Sequence, residues 1–165
     1  MNSGPKHWQT LWEQRLHNAR RVQMSDWDHP DCDDWVGAID DAIRKSHTPP
    51  VLIAHSCGVS AVAHWAAKHD APVHAALLVA PANPESQIYP RELMTFAPLP
   101  EKKLPFRSTL VASTNDPYCS LAAAHRFAHA WGSHFVDAGA AGHINTDAGF
   151  GPWAAGAKLL DALLV

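Results

Sequence analysis

The sequence predicts an α/β fold, a three-layer sandwich in which helices cover both faces of a mainly parallel sheet. Three observations support this prediction. Short apolar runs lack strict alternation, which is typical of parallel strands that are buried on both faces. Segments with helical spacing separate these runs, and strands that alternate with helices in this way form parallel sheets. The chain has 165 residues, which is the length of one domain with a sizeable core.

The predicted strands are four strong apolar runs and one weaker segment. The strong runs are Val51–Ala54, Ala75–Ala80, Ser108–Ser113 and His134–Ala138, and the weaker segment is Arg21–Met24. Helical spacing indicates helices at about His7–Asn18, Cys32–Lys45, Val59–His69, Leu121–Trp131 and Pro152–Leu164. Because no repeat or linker divides the chain, we expect residues 1–165 to form a single domain.

A long proline-rich connection, from Pro81 to Pro105, joins two of the predicted strands. Long connections in compact domains are either surface excursions or borders of a functional site. The sequence leaves both interpretations open for this segment.

Composition excludes several classes of protein. The hydrophobic fraction of 47% and the charged fraction of 18% are globular values rather than those of a disordered chain. A net charge of −3 provides no broad attraction to nucleic acid or to anionic membranes. No apolar run approaches the roughly 20 residues of a membrane span. The three cysteines have no paired spacing and no apolar leader precedes them, so we expect a cytoplasmic protein.

Ser56 stands at the junction between the first strong strand and the helix that follows it. The surrounding residues, Ala54-His55-Ser56-Cys57-Gly58, form a relaxed glycine-x-serine-x-glycine pattern with alanine in place of the first glycine. A hydroxyl on such a turn lies at the carboxyl end of the sheet, beside a helix N-terminus. Small residues also serve ordinary strand–helix packing, so the pattern alone leaves catalysis open.

Two further polar residues follow the last two predicted strands. Asp116 is the only carboxylate directly after Ser108–Ser113, and His143 is the only histidine in the segment after His134–Ala138. The carboxyl ends of parallel strands meet at one edge of a sheet, and the order serine, aspartate, histidine is that of the α/β-hydrolase triad. Each residue also has an ordinary interpretation, Asp116 as part of a turn and His143 as part of a solvated loop.

The three residues together have the chemistry of a nucleophilic hydrolase. A neutral serine hydroxyl is a weak nucleophile, so we expect His143 to remove its proton during attack and return it to the leaving group. Asp116 is expected to hold the imidazole in the required tautomer and to stabilise its charged form. The backbone N–H of Cys57 is expected to donate to the oxyanion.

Several sequence blocks resemble the small serine hydrolases of the retinoblastoma-binding protein nine and YdeN-like family. These blocks extend over nearly the whole chain and are Asn2-Ser3-Gly4-Pro5, His7-Trp8-Gln9, Asp26-Trp27-Asp28-His29-Pro30, Asp34-Trp35, Ala54-His55-Ser56-Cys57-Gly58, Phe96-Ala97-Pro98, Asn115-Asp116-Pro117-Tyr118, Gly139-Ala140-Ala141-Gly142-His143-Ile144-Asn145 and Gly149-Phe150-Gly151-Pro152-Trp153. The resemblance implies a compact α/β-hydrolase domain without a large cap. It also implies a triad of Ser56, Asp116 and His143, esterase-like activity on a small-molecule ester, and no cofactor.

The same blocks suggest which other residues border the substrate pocket. These residues are His7, Trp8, His55 and Phe150. Core or surface packing is the alternative role for each of them. His55 precedes the serine on its strand, so its side chain should diverge from that of Ser56 and support or line the site rather than act as the base.

The start of the chain departs from the family pattern. Members of the family usually begin with an apolar strand ahead of the block that matches Asn2 to Gln9, and that strand is central in a 2-1-3-4-5 order. Its loop also supplies the second oxyanion donor, which here falls to the backbone of Asn2. We therefore expect Met1 to be an internal methionine or the chain to be truncated. If the strand is absent, either Arg21–Met24 pairs with the serine strand or the open slot promotes association into a homo-oligomer.

Three other functions compete with hydrolysis. The first is a binding protein with an idle triad, because a fold does not establish activity. The second is a metal site, since His125 and His129 lie one helical turn apart, but no glutamate of the zinc-protease pattern accompanies them. The third is a nucleotide-binding domain, which no glycine-rich phosphate loop supports. We expect neither a metal nor a cofactor.

Overall fold

The computed structural model describes residues 2–165, and our expectation about Met1 lies outside this range. The strands are Val51–Ser56 (β1), Ala75–Pro81 (β2), Arg107–Ala112 (β3) and His134–Asp137 (β4). They form one parallel sheet in the order β1-β2-β3-β4. The helices are Trp8–Arg15 (α1), Cys32–Arg44 (α2), Cys57–Lys68 (α3), Leu121–Trp131 (α4) and Ala154–Leu163 (α5). The predicted α/β fold class is confirmed. No helix within residues 2–165 has the length and apolar character needed to cross a membrane.

Local sequence signals explain several helix ends. The Asp31 side chain accepts from the backbone N–H groups of Asp33 and Asp34 at the start of α2, and Ser120 caps α4 in the same way. These are the preferred N-cap residue types. α4 ends at Gly132, whose φ of 69° is a left-handed value that glycine adopts without steric cost.

Two apolar clusters bury the two faces of the sheet. α2, α3 and α4 supply the larger cluster, in which Trp35, Trp65 and Phe127 are each at most 3% exposed. α1 and α5 supply the smaller cluster, to which Trp12 and Leu160 belong. Because both layers cover β2, every residue of that strand is buried. This burial explains why its sequence is a continuous apolar run without alternation.

The weaker predicted strand, Arg21–Met24, is not a strand. Its backbone has no regular secondary structure, and the Arg21 guanidinium donates to the side chains of Glu13 and Thr10. A strand requires a neighbouring strand for its backbone groups, and this segment does not pair with β1. The expectation that it pairs directly with the serine strand is therefore wrong.

β1 is an edge strand in the described part of the chain, since it pairs with β2 alone. A cavity of about 1740 Å³ lies along this edge and reaches Ser56, with Val22, Met24 and Leu52 among its lining residues. The carbonyl of Ile53 accepts a hydrogen bond from the side-chain amide of Gln9 at 3.2 Å. A side chain thus satisfies one backbone group of the strand that carries Ser56.

The proline-rich connection between β2 and β3 borders this cavity. It contains a short 3-10 helix, Arg91–Phe96, that the sequence does not predict. Ala82, Pro90 and Leu93 line the cavity together with Ser56. Of the two interpretations left open by the sequence, the structure supports a border of the candidate site.

Candidate active site

Ser56 is the last residue of β1, directly before α3, and it has a strained backbone conformation. Its φ is 54° and its ψ is −121°, a region that residues with side chains rarely occupy. The pairing register between β1 and β2 shifts between His55 and Ser56, and α3 begins at the next residue, Cys57. This turn presents the Ser56 hydroxyl at the carboxyl end of the sheet.

Ala54 and Gly58 face each other across this turn. A Cβ atom built at position 58 would lie 3.7 Å from the Cβ of Ala54, an ordinary van der Waals distance. Ala54 is itself buried. The close approach of strand and helix therefore tolerates alanine in place of the first glycine of the pattern.

The side chains of Ser56, His143 and Asp116 form a continuous chain of hydrogen bonds. His143 Nε2 lies 2.9 Å from Ser56 Oγ, and His143 Nδ1 lies 2.9 and 3.0 Å from the two carboxylate oxygens of Asp116. The side chain of Asp116 is 2% exposed and that of His143 is 10% exposed. When Nδ1–H donates to the carboxylate, Nε2 is free to accept the serine proton.

Two residues for which the sequence predicted no individual role connect the loops of Asp116 and His143. Asn115 Oδ1 accepts from the Gly142 N–H at 2.7 Å and from the Ser113 hydroxyl at 2.8 Å. The Ser113 oxygen in turn accepts from the Ala141 N–H at 2.9 Å. Both residues lie at the end of β3, where site residues of a parallel sheet collect, and Asn115 also stands in one of the blocks that resemble the family.

Tyr118 is a further residue of the site. Its ring meets the His143 ring edge-on with a centroid separation of 4.6 Å, and it lines the same cavity as Ser56. The backbone N–H of Tyr118 donates to Asp116 Oδ1 at 2.9 Å. Tyr118 therefore packs against the imidazole and also fixes the carboxylate.

The predicted oxyanion donors, Cys57 and Asn2, both line the cavity that contains Ser56. Cys57 is the first residue of α3, where backbone N–H groups have no partner within the helix. Asn2 is held through its side chain, whose oxygen accepts from Arg21 at 2.7 Å. Burial raises the pKa of the Cys57 thiol to about 12, so the thiol is a packing group rather than a nucleophile.

Two of the four predicted pocket residues line the cavity. His7 and His55 are among the lining residues. Trp8 is instead fully buried, with its ring against that of Trp153 at 5.2 Å, and Phe150 packs edge-on against Trp153. Trp8 thus lies in the core, whereas Phe150 is half-buried and its predicted place at the pocket stays a prediction.

His7 and His55 are both neutral in the folded protein. Burial, followed by the charges of Arg21 and His143, lowers the pKa of His7 to about 4. Burial, followed by the charge of His143, lowers the pKa of His55 to about 3. A hydrogen bond supports the neutral form of His7. Its Nδ1 accepts from the Gln9 N–H at 3.2 Å, so this nitrogen bears no proton.

We expect acid to destabilise the fold through these two histidines. Their ordinary pKa is 6.5, so between about pH 6.5 and pH 4 the unfolded chain binds more protons than the folded chain. The free energy of unfolding therefore falls as the pH falls through this window. Urea unfolding at about pH 7.5 and pH 5 measures the effect, and the midpoint should be lower at the acidic pH.

His55→Gln should weaken this pH dependence, because the variant lacks one of the two depressed histidines. His47→Gln is the matched control, since His47 is exposed. An unfolding midpoint that does not change with pH in the unmodified protein would contradict the expectation.

His125 and His129, the pair considered as metal ligands, are exposed on α4. The His125 ring stacks on Phe135 with a centroid separation of 3.7 Å. Within residues 2–165, no group of three or more His, Cys, Asp or Glu side chains is arranged to hold a metal ion. We assign no metal role to this pair.

The sequence matches the serine hydrolase family over residues 1–162. A YdeN-like hydrolase from Pectobacterium atrosepticum is similar in structure, with 36% identity, a TM-score of 0.87, and coverage of 98% of this chain and 84% of that chain. The ydeN gene product of B. subtilis is 20% identical, with a TM-score of 0.81 and coverage of 99% and 93%. A monoacylglycerol lipase from Paleococcus ferrophilus shares the fold at 12% identity, with a TM-score of 0.63 and coverage of 82% and 76%. No curated protein matches the sequence.

These similarities agree with the sequence blocks and with the observed sheet. The family match extends over nearly the whole chain, and the Pectobacterium hydrolase aligns with almost all of it. The chain belongs to the serine hydrolase family, resembles its YdeN-like members, and is a serine hydrolase with a minimal α/β-hydrolase fold.

Proposed function

We propose that the chain is a carboxylesterase-like acyl hydrolase that acts on small-molecule esters through Ser56, His143 and Asp116. The observation that supports this most strongly is the unbroken hydrogen-bond chain from Ser56 Oγ through the imidazole to the Asp116 carboxylate. In this arrangement a base lies within reach of the nucleophile's proton, and a carboxylate orients the base.

In the proposed acylation step, Ser56 Oγ attacks the ester carbonyl carbon while His143 Nε2 takes the hydroxyl proton. The new O–C bond produces a tetrahedral oxyanion, and Asp116 stabilises the imidazolium that forms beside it. Collapse of the intermediate breaks the bond to the alcohol oxygen, and His143 returns the proton to that oxygen. An acyl-enzyme on Ser56 remains.

Deacylation follows the same chemical steps, with water as the nucleophile. His143 removes a proton from water, the hydroxide adds to the acyl carbon, and the proton returns to Ser56 Oγ as the carboxylic acid leaves. The backbone N–H groups of Cys57 and Asn2 are the proposed donors to the oxyanion in both steps, where loss of one donor typically costs about 10² to 10³ in rate.

We propose that an uncharged acyl group occupies the apolar part of the cavity, whose lining also includes charged residues such as Lys6 and Glu13. Val62, Pro90 and Leu93 contribute apolar surface to the same cavity as Ser56, and burial there of a carboxylate or ammonium group without a partner would cost free energy. We therefore propose short or medium acyl esters as substrates. Hydrolysis of p-nitrophenyl esters of increasing chain length tests this choice, and uniform inactivity across the series would contradict it.

A fluorophosphonate probe tests the proposed nucleophile directly, because such probes react with activated serines. We expect one covalent adduct, located at Ser56 by tandem mass spectrometry, and none in Ser56→Ala. Ser60→Ala is the matched control, since Ser60 is a buried serine on α3 whose hydroxyl has no hydrogen-bond partner among residues 2–165. A well-folded protein that acquires no adduct would instead indicate a binding protein with an idle triad.

For the case in which no further strand precedes and pairs with β1, we also propose that the open edge of this strand promotes association between copies of the chain. β1 pairs on one side only within residues 2–165, and unpaired strand edges are templates for contact with another chain. In hydrogen exchange, amides of β1 should become more protected as the protein concentration rises, whereas β3, which is paired on both sides, should not change. Equal exchange of β1 at all concentrations would contradict association at this edge.

We propose that the protein works in a reducing compartment such as the cytoplasm. Cys32, Cys57 and Cys119 are all free and buried. Burial raises the pKa values of these thiols to about 11, 12 and 12 respectively. The thiols therefore stay protonated and react slowly with oxidants.

A further inference from the structure

His55 makes one specific contact with the loop of the candidate base. Its Nε2 lies 2.8 Å from the backbone carbonyl oxygen of His143. Because a carbonyl oxygen can only accept, the proton of the neutral imidazole must be on Nε2. His55 is therefore a donor to the backbone of His143, although the two residues are 88 positions apart.

Trp8 makes the same kind of contact one residue further along. Its indole Nε1–H donates to the carbonyl of Ile144 at 2.9 Å. Two ring N–H groups thus hold two successive carbonyls of the loop. The donors come from β1 and α1, which are packed elements of the domain.

The loop that carries His143 needs such support because the next residue, Ile144, has a strained backbone. Gly142 has a φ of 55° and Ile144 a φ of 47°, and a branched residue such as isoleucine rarely adopts a positive φ. A Cβ at position 142 would meet Ala148 at 2.9 Å, so the turn is also tightly packed. The hydrogen bond from Trp8 to the Ile144 carbonyl helps to hold this strained residue in place.

The position of this backbone matters for the chemistry of its side chain. The imidazole of His143 must reach Ser56 Oγ and the Asp116 carboxylate at the same time, at 2.9 Å in each direction. A displacement of about 1 Å in a catalytic group can cost about 10² in rate. A donor that holds the backbone therefore determines how well the base is aligned.

The surroundings of His55 explain why a neutral donor is suited to this place. Its ring centroid lies 4.8 Å from that of His143 and 5.0 Å from that of His7, and the Trp8 ring lies edge-on at 6.0 Å. A permanently charged lysine or arginine here would repel the imidazolium that forms during turnover. A neutral imidazole provides the N–H without that charge.

We propose that His55 is a positioning residue, which aligns the His143 imidazole by donating its Nε2–H to the His143 carbonyl. The inference rests on the proposed function, in which His143 is the base. It assigns His55 a role in alignment, separate from any contact with substrate.

Two substitutions of His55 separate the hydrogen bond from the shape of the ring. His55→Phe keeps an aromatic ring and removes the donor, whereas His55→Gln keeps an N–H at about the same reach. We expect the phenylalanine variant to lose between about 10- and 100-fold in kcat with little change in KM. The glutamine variant should recover most of this loss.

His64 provides a matched control. Its Nε2 lies 2.9 Å from the carbonyl of Phe96, which is the same kind of bond on α3, away from His143. His64→Phe should therefore leave kcat unchanged even if it lowers the melting temperature. An equal loss of kcat in the His55→Phe and His64→Phe variants would overturn the proposal, because it would reflect general destabilisation.

A readout that needs no turnover separates this inference from the proposed function. In proton NMR, the His143 Nδ1–H that is bonded to Asp116 should give a downfield resonance in the unmodified protein and in His55→Gln, and exchange should broaden it in His55→Phe. If no ester is hydrolysed but this pattern holds, the proposed function fails and the positioning role stands. A sharp, unshifted resonance and full kcat in His55→Phe would overturn the positioning role alone.

Discussion

Ser56→Ala is expected to lower ester turnover by about 10⁶-fold, as loss of a triad serine does in other serine hydrolases. The substitution removes the oxygen that forms the acyl bond. His143 and Asp116 would keep their mutual hydrogen bond at 2.9 Å, so the loss would come from the nucleophile and not from collapse of the site. Steady-state hydrolysis of a p-nitrophenyl ester measures the effect.

The control for this change is Ser60→Ala. This variant should retain full turnover, because the Ser60 hydroxyl is buried within α3 and makes no hydrogen bond among residues 2–165. Turnover in Ser56→Ala within tenfold of the unmodified protein would mean that another group attacks the ester. Ser56→Gly adds a measurement of stability, since glycine adopts a φ near 54° without steric cost. We expect it to melt about 2–4 °C above Ser56→Ala, and an equal or lower melting temperature would indicate that the backbone is unstrained.

Asp116→Asn is expected to lower kcat by about 10⁴-fold, the cost of the wrong imidazole tautomer. The backbone N–H of Tyr118 donates to Asp116 Oδ1 at 2.9 Å, so the amide oxygen of asparagine should occupy that position. Its NH₂ group would then face His143 Nδ1, which would have to accept. The proton would move to Nε2, and the histidine would lose its ability to take the Ser56 proton.

Asp137→Asn is the matched control for this substitution. Asp137 is the last residue of β4 and accepts from a backbone N–H, that of Gly139 at 2.7 Å, but it is exposed and makes no hydrogen bond or ion pair with Ser56 or His143 within residues 2–165. The Asp137→Asn variant should retain normal kcat. Steady-state kinetics compares the two variants, and a loss of less than tenfold in Asp116→Asn would show that the carboxylate does not set the tautomer of His143.

Most of the secondary structure was predictable because its signals are local. The predicted α4, Leu121–Trp131, has the observed bounds, and the serine turn was visible from the small residues around it. Errors were confined mainly to helix ends. α1 stops at Arg15 rather than near Asn18 because Leu16 takes an extended conformation, which apolar spacing alone does not reveal.

The Arg21–Met24 segment shows where local signals fail. Its apolar residues suit a strand, but a strand exists only when a neighbour satisfies its backbone groups. In the structure Val22 and Met24 line the cavity beside β1 instead. The complete burial of Trp8 was not predictable for a related reason, because it depends on which other rings pack against this side chain.

Signals within the sequence were enough to predict the succession of strands and helices along the chain, the serine turn, and the candidate acid and base. Each of these follows from residues that are neighbours in the chain or from their place at strand ends. The packed structure was needed to show that β1 pairs on one side only within residues 2–165, and that Asn115, Ser113, His55 and Trp8 hold the loops of the site. The ring N–H bonds to the His143 loop join residues 88 and 136 positions apart. No local pattern encodes such a bond, since its geometry exists only once the sheet has brought both partners to the same edge.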